Sequence, residues 1–119
     1  MTRKNEYTSL QEFREEYDGI SYKKHRSFIG IEFTYHDVYY RMCREPLVDE
    51  HLPTLSNGNK GHYNVVIVHW KNGEWFSDYE YELIGWYENI DDLLQNCYID
   101  GKKFKDIIMA DETEIIGKD

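Results

Sequence analysis

Two strand-like arms on either side of an Asn-Gly pair constrain the fold of this chain more than any other feature of its sequence. The first arm, residues 63–70, is apolar on both strand faces through residues 65–68, as expected for a strand inside a sheet. Asn72 and Gly73 supply a favoured hairpin turn, and residues 74–83 return. The sequence therefore predicts a β-hairpin whose first arm is a central strand.

The return arm has a two-residue period that separates apolar from acidic side chains. The residues of one parity are Trp75, Tyr79, Tyr81 and Leu83. Those of the other parity are Glu74, Phe76, Asp78, Glu80 and Glu82. We expect the first set to pack and the second to form an acidic surface. Such a row of charges is also the ordinary solvated face of an antiparallel sheet, so a functional and a purely structural interpretation both stay open.

A helix and another hairpin precede this segment. Ser9 and Glu12 have the spacing of a capping box, and the apolar period predicts a helix over residues 10–18. Residues 28–44 then alternate around a turn at residues 36–37, which predicts two paired strands.

The C-terminal part of the chain predicts a second helix and a closing strand. Asn89 is a favourable N-cap, and apolar residues follow at helical spacing from Ile90 to Cys97. Residues 104–108 form an apolar short helix or strand, and residues 113–116 can add an edge strand.

Length and composition indicate one globular domain. The chain has 119 residues, 40% of them hydrophobic, and only 2 prolines, so it can bury a core without metals or disulfides. We expect a single α+β domain over residues 1–119, with a mainly antiparallel sheet of about five strands and two short helices. Residues 45–62 break the pattern and predict a long loop, for which a binding role and a connecting role both stay open.

The net charge of −9 is concentrated in residues 73–119, which carry 13 acidic and 4 basic residues. Carboxylates steer cationic partners and aromatic side chains supply contact area. The same acidity disfavours direct binding to nucleic acid, because phosphates require Lys or Arg. We expect the partner to be a basic, nucleic-acid-binding protein. The candidate contact residues are Phe76, Asp78, Glu80, Glu82, Trp86, Glu88 and Asp91.

No catalytic or metal-binding motif stands out in the sequence. A nucleophile elbow, a phosphate loop, a dinucleotide-binding fingerprint and a zinc-protease His pair are absent. Cys43 and Cys97 are far apart in sequence and are expected to be buried thiols. We therefore expect no enzymatic activity, no cofactor and no metal site.

The chain is expected to be cytoplasmic. No apolar run approaches the ~20 residues of a membrane span. Residues 1–6 lack the apolar stretch of a signal peptide.

A helix, a turn and an apolar pair near the C-terminus carry a resemblance to other proteins. These segments are Ile90-Asp91-Asp92-Leu93-Leu94, Ile99-Asp100-Gly101-Lys102, Phe104 and Ile107-Ile108. Residues 90–108 thereby resemble the tails of small uncharacterised proteins of bacterial phages and integrative elements. The resemblance implies no activity and supplies no catalytic residue. It suggests a context in which short acidic proteins block host defence machinery, anti-CRISPR proteins among them.

Together these features predict a small acidic, non-enzymatic inhibitor or adaptor whose carboxylates take the place of nucleic-acid phosphates. One alternative is a structural or accessory domain in which the acidic residues serve solubility. A second, weaker alternative is a metal-dependent hydrolase that uses paired carboxylates.

Overall fold

Strands form where apolar residues recur at every second position, and helices form where they recur about every 3.6 positions. The computed structural model describes residues 4–17, 28–44, 52–70 and 79–119. These residues contain three helices, which are α1 (Leu10–Tyr17), α2 (Ile90–Asn96) and α3 (Phe104–Met109). They also contain seven strands, which are β1 (Gly30–Tyr35), β2 (Val38–Arg44), β3 (Tyr63–Trp70), β4 (Tyr79–Tyr87), β5 (Tyr98–Ile99), β6 (Lys102–Lys103) and β7 (Glu114–Lys118).

Five strands form one antiparallel sheet in the order β4-β3-β2-β1-β7, and β5 pairs with β6 in a separate ribbon. Strands β1 and β2 form the predicted hairpin, and β3 pairs with both β2 and β4 inside the sheet. His36 and Asp37 have φ values of 49° and 64°, which are the left-handed values of a two-residue hairpin turn. The predicted α+β fold is confirmed, with α3 as a helix beyond the two expected.

The helix caps lie where the sequence predicts them. At the start of α1, the Ser9 N–H donates to the Glu12 carboxylate at 3.1 Å and the Glu12 N–H donates to Ser9 Oγ at 3.4 Å. At the start of α2, Asn89 Oδ1 accepts from the Asp92 N–H at 2.9 Å. These bonds satisfy backbone donors that have no partner within the helix. Asp18, predicted to end the first helix, lies outside the described residues.

The three helices cover one face of the five-stranded sheet. Their apolar side chains join those of one strand parity in a single core. The strand residues of this core are Ile31, Phe33, Tyr35, Tyr40, Met42, Tyr63 and Val65. The strand register aligns them on one face. Among the described residues, no helix packs on the opposite face, which carries Glu32, Tyr39 and Arg41.

Strand β4 differs from the predicted return arm in its length and in the packing of its side chains. It continues past Leu83 to Tyr87, because a β-bulge at Ile84 lets its pairing with β3 resume. Tyr81 and Leu83 are 52% and 56% exposed, so the prediction that they pack is wrong. The register places both on the face without helices, whereas Ile84 and Tyr87 pack against the core. The predicted turn at residues 72–73 lies outside the described residues.

A buried amide fastens residues 4–7 to the end of α3. Asn5 is 6% exposed, and its Nδ2 donates to the carbonyls of Ile108 and Ala110 at 2.7 and 2.8 Å. Its Oδ1 accepts from the Tyr7 N–H at 2.9 Å. Asn5 thus satisfies carbonyls at a helix end that have no partner within the helix.

Lys118 of β7 joins the sheet to the N-terminal segment. Its Nζ lies 2.8 Å from a Glu16 oxygen, 3.1 Å from Glu6 and 4.6 Å from the centre of the Tyr7 ring. Burial alone would lower the pKa of Lys118, but hydrogen bonds to the two carboxylates raise it above its ordinary value. The stabilisation from this ion pair is therefore present at neutral pH and is lost only as the pH rises through the raised pKa.

We predict that Asn5→Ala destabilises the fold by about 2 kcal/mol or more, because it removes the Asn5 bonds to the Ile108 carbonyl and the Tyr7 N–H in a buried position, while the Ala110 carbonyl still accepts from the Thr113 N–H. Asn96→Ala is the matched control, since Asn96 is exposed and its side chain bonds to Asp92 one helical turn away. The control should cost less than about 0.5 kcal/mol. Urea unfolding followed by circular dichroism measures both free energies, and equal losses would contradict the role given to Asn5.

Candidate protein-binding surface

Exposed carboxylates gather at the end of the sheet where β1 turns into β2. We name this surface the acidic end. It comprises Asp37, Glu80, Glu82, Asp100, Glu112 and Glu114, and each of these residues is exposed.

Strand pairing places these acidic residues, from distant parts of the sequence, along one end of the sheet, with β4 and β7 four strand spacings or about 19 Å apart. Across the sheet, Tyr81 pairs with Val68, Val68 with Tyr39, Tyr39 with Thr34 and Thr34 with Glu114. Glu80 and Glu82 lie on either side of this row in β4, and the turn at residues 36–37 follows just beyond it. The acidic end is therefore fixed by the sheet.

His36 links three turns at the acidic end. Its ring stacks on Tyr35 with centroids 3.9 Å apart. Its Nδ1 lies 3.8 Å from Asp100 and its Nε2 lies 3.3 Å from Glu112. The Glu112 backbone N–H donates a hydrogen bond to the Glu112 carboxylate. This bond, together with the His36 ring, lowers the pKa of Glu112. This carboxylate therefore stays ionised at neutral pH.

The geometry around His36 does not suit a metal ion. Asp100 and Glu112 lie against different ring nitrogens, which point in different directions, so the possible ligands do not converge. Among the described residues, no group of three or more His, Cys, Asp or Glu side chains is arranged to hold a metal. Within the described part of this network, Lys102 supplies an ammonium group whose Nζ donates to the Tyr35 hydroxyl at 3.3 Å.

Glu82 also has a histidine neighbour. Its Oε1 lies 2.9 Å from His69 Nε2, and both side chains are more than half exposed. Ion pairs with this exposure contribute little to stability. Glu82 can therefore exchange this contact for one with a partner at small cost.

The predicted contact residues do not form one surface. Glu80 and Glu82 lie at the acidic end, on the sheet face of Ile67 and His69. Trp86 follows the bulge on the opposite face, where it pairs with Asn64 and is half-buried.

Glu88 and Asp91 lie farther from the acidic end than Trp86. Glu88 accepts a hydrogen bond from Asn59, and Asp91 lies 2.6 Å from Arg14 of α1. Glu88 follows Glu82 by six positions along extended chain, a distance of about 20 Å. Phe76 and Asp78 lie outside the described residues.

Sequence reasoning missed four members of the acidic end. These are Asp37, Asp100, Glu112 and Glu114. They belong to three separate turns and to the start of β7, and no local pattern indicates that these elements meet. The pairing of β1 with β7 and the contacts of His36 bring them together.

Part of the predicted 45–62 loop is well structured. Thr54 bridges Lys60, and the Leu55 N–H donates to the Asn59 carbonyl at 2.7 Å. Asn59 also donates to Glu88, so this compact turn lies against the end of β4 rather than at the acidic end. Residues 45–51 lie outside the described residues.

The two cysteines differ in their surroundings. Cys97 is buried as predicted, and burial raises its pKa to about 11. Cys43 is only half-buried, which corrects the prediction for this residue. It lies on the face without helices, where its Sγ accepts from Arg41 Nε at 3.0 Å. The Cys97 thiol stays protonated at neutral pH and is not an activated nucleophile.

Comparison of the chain with family models, with curated proteins and with solved structures finds no match in any of the three. Among the described residues, no helix has the length and apolar character needed to cross a membrane.

We predict that Cys97 in the folded Cys43→Ser variant reacts with a thiol reagent at pH 8 at least about 100-fold more slowly than in urea. Its thiol is buried and its pKa is raised to about 11, so little thiolate forms. The Cys97→Ser variant provides the comparison, because its half-buried Cys43 should react in the folded state. Rapid labelling of folded Cys97 would show that α2 does not shield it.

Proposed function

We propose that this chain is a small, non-enzymatic inhibitor or adaptor that binds a basic, nucleic-acid-binding protein through its acidic end. The observation that carries the proposal is that six exposed carboxylates lie along one end of the sheet, with the exposed side chains of Tyr81 and Leu83 next to two of them on β4. Carboxylates there take the place of phosphates at the Lys and Arg side chains of the partner.

The rigidity of the acidic end supports this proposal. Its carboxylates extend from paired strands and from turns joined through His36, so their spacing is set before the partner arrives. A preorganised charge pattern loses little conformational entropy on binding. The surface is also exposed, so its attraction for cations acts at a distance and falls with added salt.

Apolar contact area beside the charges also supports a protein partner. Tyr81 and Leu83 lie on the sheet face opposite Glu80 and Glu82 and are more than half exposed. Protein interfaces combine an apolar centre with a polar, solvent-accessible rim. The resemblance of residues 90–108 to phage and mobile-element proteins makes a host defence factor in the cytoplasm our preferred partner.

The alternative to an inhibitor or adaptor is an accessory domain, and the two differ in what neutralising the acidic end would do. In that case the acidic end serves only solubility, and its neutralisation would change no specific interaction. A metal-dependent hydrolase would instead lose activity on chelation.

We predict that Glu80→Gln/Glu82→Gln weakens capture of the partner and reduces the salt dependence of association, because charge at the acidic end drives the encounter. The control Glu15→Gln/Asp119→Asn makes the same change in charge near α1 and the start of β1. The tagged chain and both variants are incubated with nuclease-treated bacterial lysate, washed at low and then high salt, and analysed by mass spectrometry.

The expected result is a basic protein that the original chain and the control retain at low salt and release at high salt. The purified partner should lose bound DNA or RNA when the chain is added, as an inhibitor requires. Equal capture by all three chains would contradict the proposed function.

A further inference from the structure

Strand β4 is an edge of the sheet among the described residues. It pairs with β3 on one side and is last in the strand order. The strand has nine residues, whereas β7 at the other edge has five. Lys118 of β7 is also fastened to Glu6 and Glu16. Of the two edges, β4 offers the longer template for an additional strand.

The first half of β4 presents different chemistry on its two faces. Glu80 and Glu82 share the face of their pairing partners His69 and Ile67. Tyr81 and Leu83 share the other face, next to Val68 and Val66, and are 52% and 56% exposed. A strand added beside residues 79–83 would therefore meet carboxylates on one side of the sheet and apolar side chains on the other.

The bulge at Ile84 limits this two-faced segment. Beyond it the strand direction changes, and Ile84 and Tyr87 pack into the core. The regular segment that can receive a partner strand is therefore residues 79–83, which is a common length for a β-strand.

We propose that an extended segment of the basic partner binds along residues 79–83 as a sixth strand of the sheet, with basic and apolar side chains in alternation. Its basic side chains lie next to Glu80 and Glu82, and its apolar side chains lie next to Tyr81 and Leu83. This inference rests on the proposed function and specifies how the partner docks. Backbone hydrogen bonds supply affinity, and the alternating side chains supply specificity.

Charge argues against a second copy of the chain as the occupant. Antiparallel pairing of two β4 strands would place Glu80 and Glu82 of both copies on the same face, close to one another. Like charges on adjacent strands are destabilising, and each copy carries a net charge of −9. A strand with alternating basic side chains removes this repulsion and gains ion pairs instead.

A synthetic peptide of roughly seven alternating Lys and Val residues tests this mode of binding. Its control has the same composition, with all Lys residues in one block and all Val residues in the other. Two further versions carry N-methyl groups on the Lys residues or on the Val residues. In a strand, alternate backbone N–H groups point to opposite edges, so one version blocks the edge that pairs with β4.

Affinities are measured by fluorescence anisotropy, and amide hydrogen exchange of the full chain locates the binding site. We expect the alternating peptide to bind about tenfold more tightly than the block peptide, and one N-methylated version to lose about tenfold in affinity. Amides of residues 79–83 should gain protection. The Glu80→Lys/Glu82→Lys variant should instead prefer a peptide of alternating Glu and Val.

Each contrary outcome is distinct. Strand addition is wrong if the alternating peptide fails to bind, or if both N-methylated versions bind equally well. In either case, salt-sensitive capture of the partner would still support the proposed function. If β4 amides gain protection with rising protein concentration and no peptide, a second copy is the occupant. If Glu80 and Glu82 are irrelevant to capture of the partner itself, the proposed function fails.

Discussion

Phe104 is the contact on which the arrangement of helices and sheet depends. Its side chain is fully buried, with ring centroids 5.7 Å from Phe13 of α1 and 5.9 Å from Phe33 of β1. Its N–H donates to the Cys97 carbonyl at 2.7 Å, which fixes the start of α3 next to the end of α2. Burying one aromatic ring of this size contributes about 2 to 3 kcal/mol. Because this ring cluster lies on one side of β1, the helices lie on that side as well.

A sheet covered by helices on one face leaves its edges and its other face to different uses. Arg41 illustrates the second face, where its guanidinium lies 2.7 Å from Glu32 and 3.2 Å from Asp119. That part of the face is a network of internal ion pairs, whereas Tyr81 and Leu83 near the β4 edge are exposed apolar groups. Tyr81 and Leu83 thus place exposed apolar area next to Glu80 and Glu82 on the same strand, and our proposal of a protein partner draws on this proximity.

Local signals in the sequence predict the local structure well. The Ser9–Glu12 capping box, the Asn89 cap and the two-residue period of β1 and β2 each involve neighbouring residues. The bulge at Ile84 does not follow from such a signal, because it depends on how β4 meets the core. For the same reason the sequence identified Glu80 and Glu82 as candidates but did not reveal that Asp100 and Glu112 meet at His36, at the same end of the sheet.

The pairing of β1 with β7 has a consequence for how the chain is made. Thr34 pairs with Glu114, so β1 leaves the ribosome long before its neighbour on that side is synthesised. Contacts this distant in sequence close slowly. During translation β1 is itself an exposed edge, and its apolar residues Ile31 and Phe33 are vulnerable to aggregation until β7 arrives. Until β7 pairs with it, the nascent chain therefore exposes the β1 side of the sheet as well.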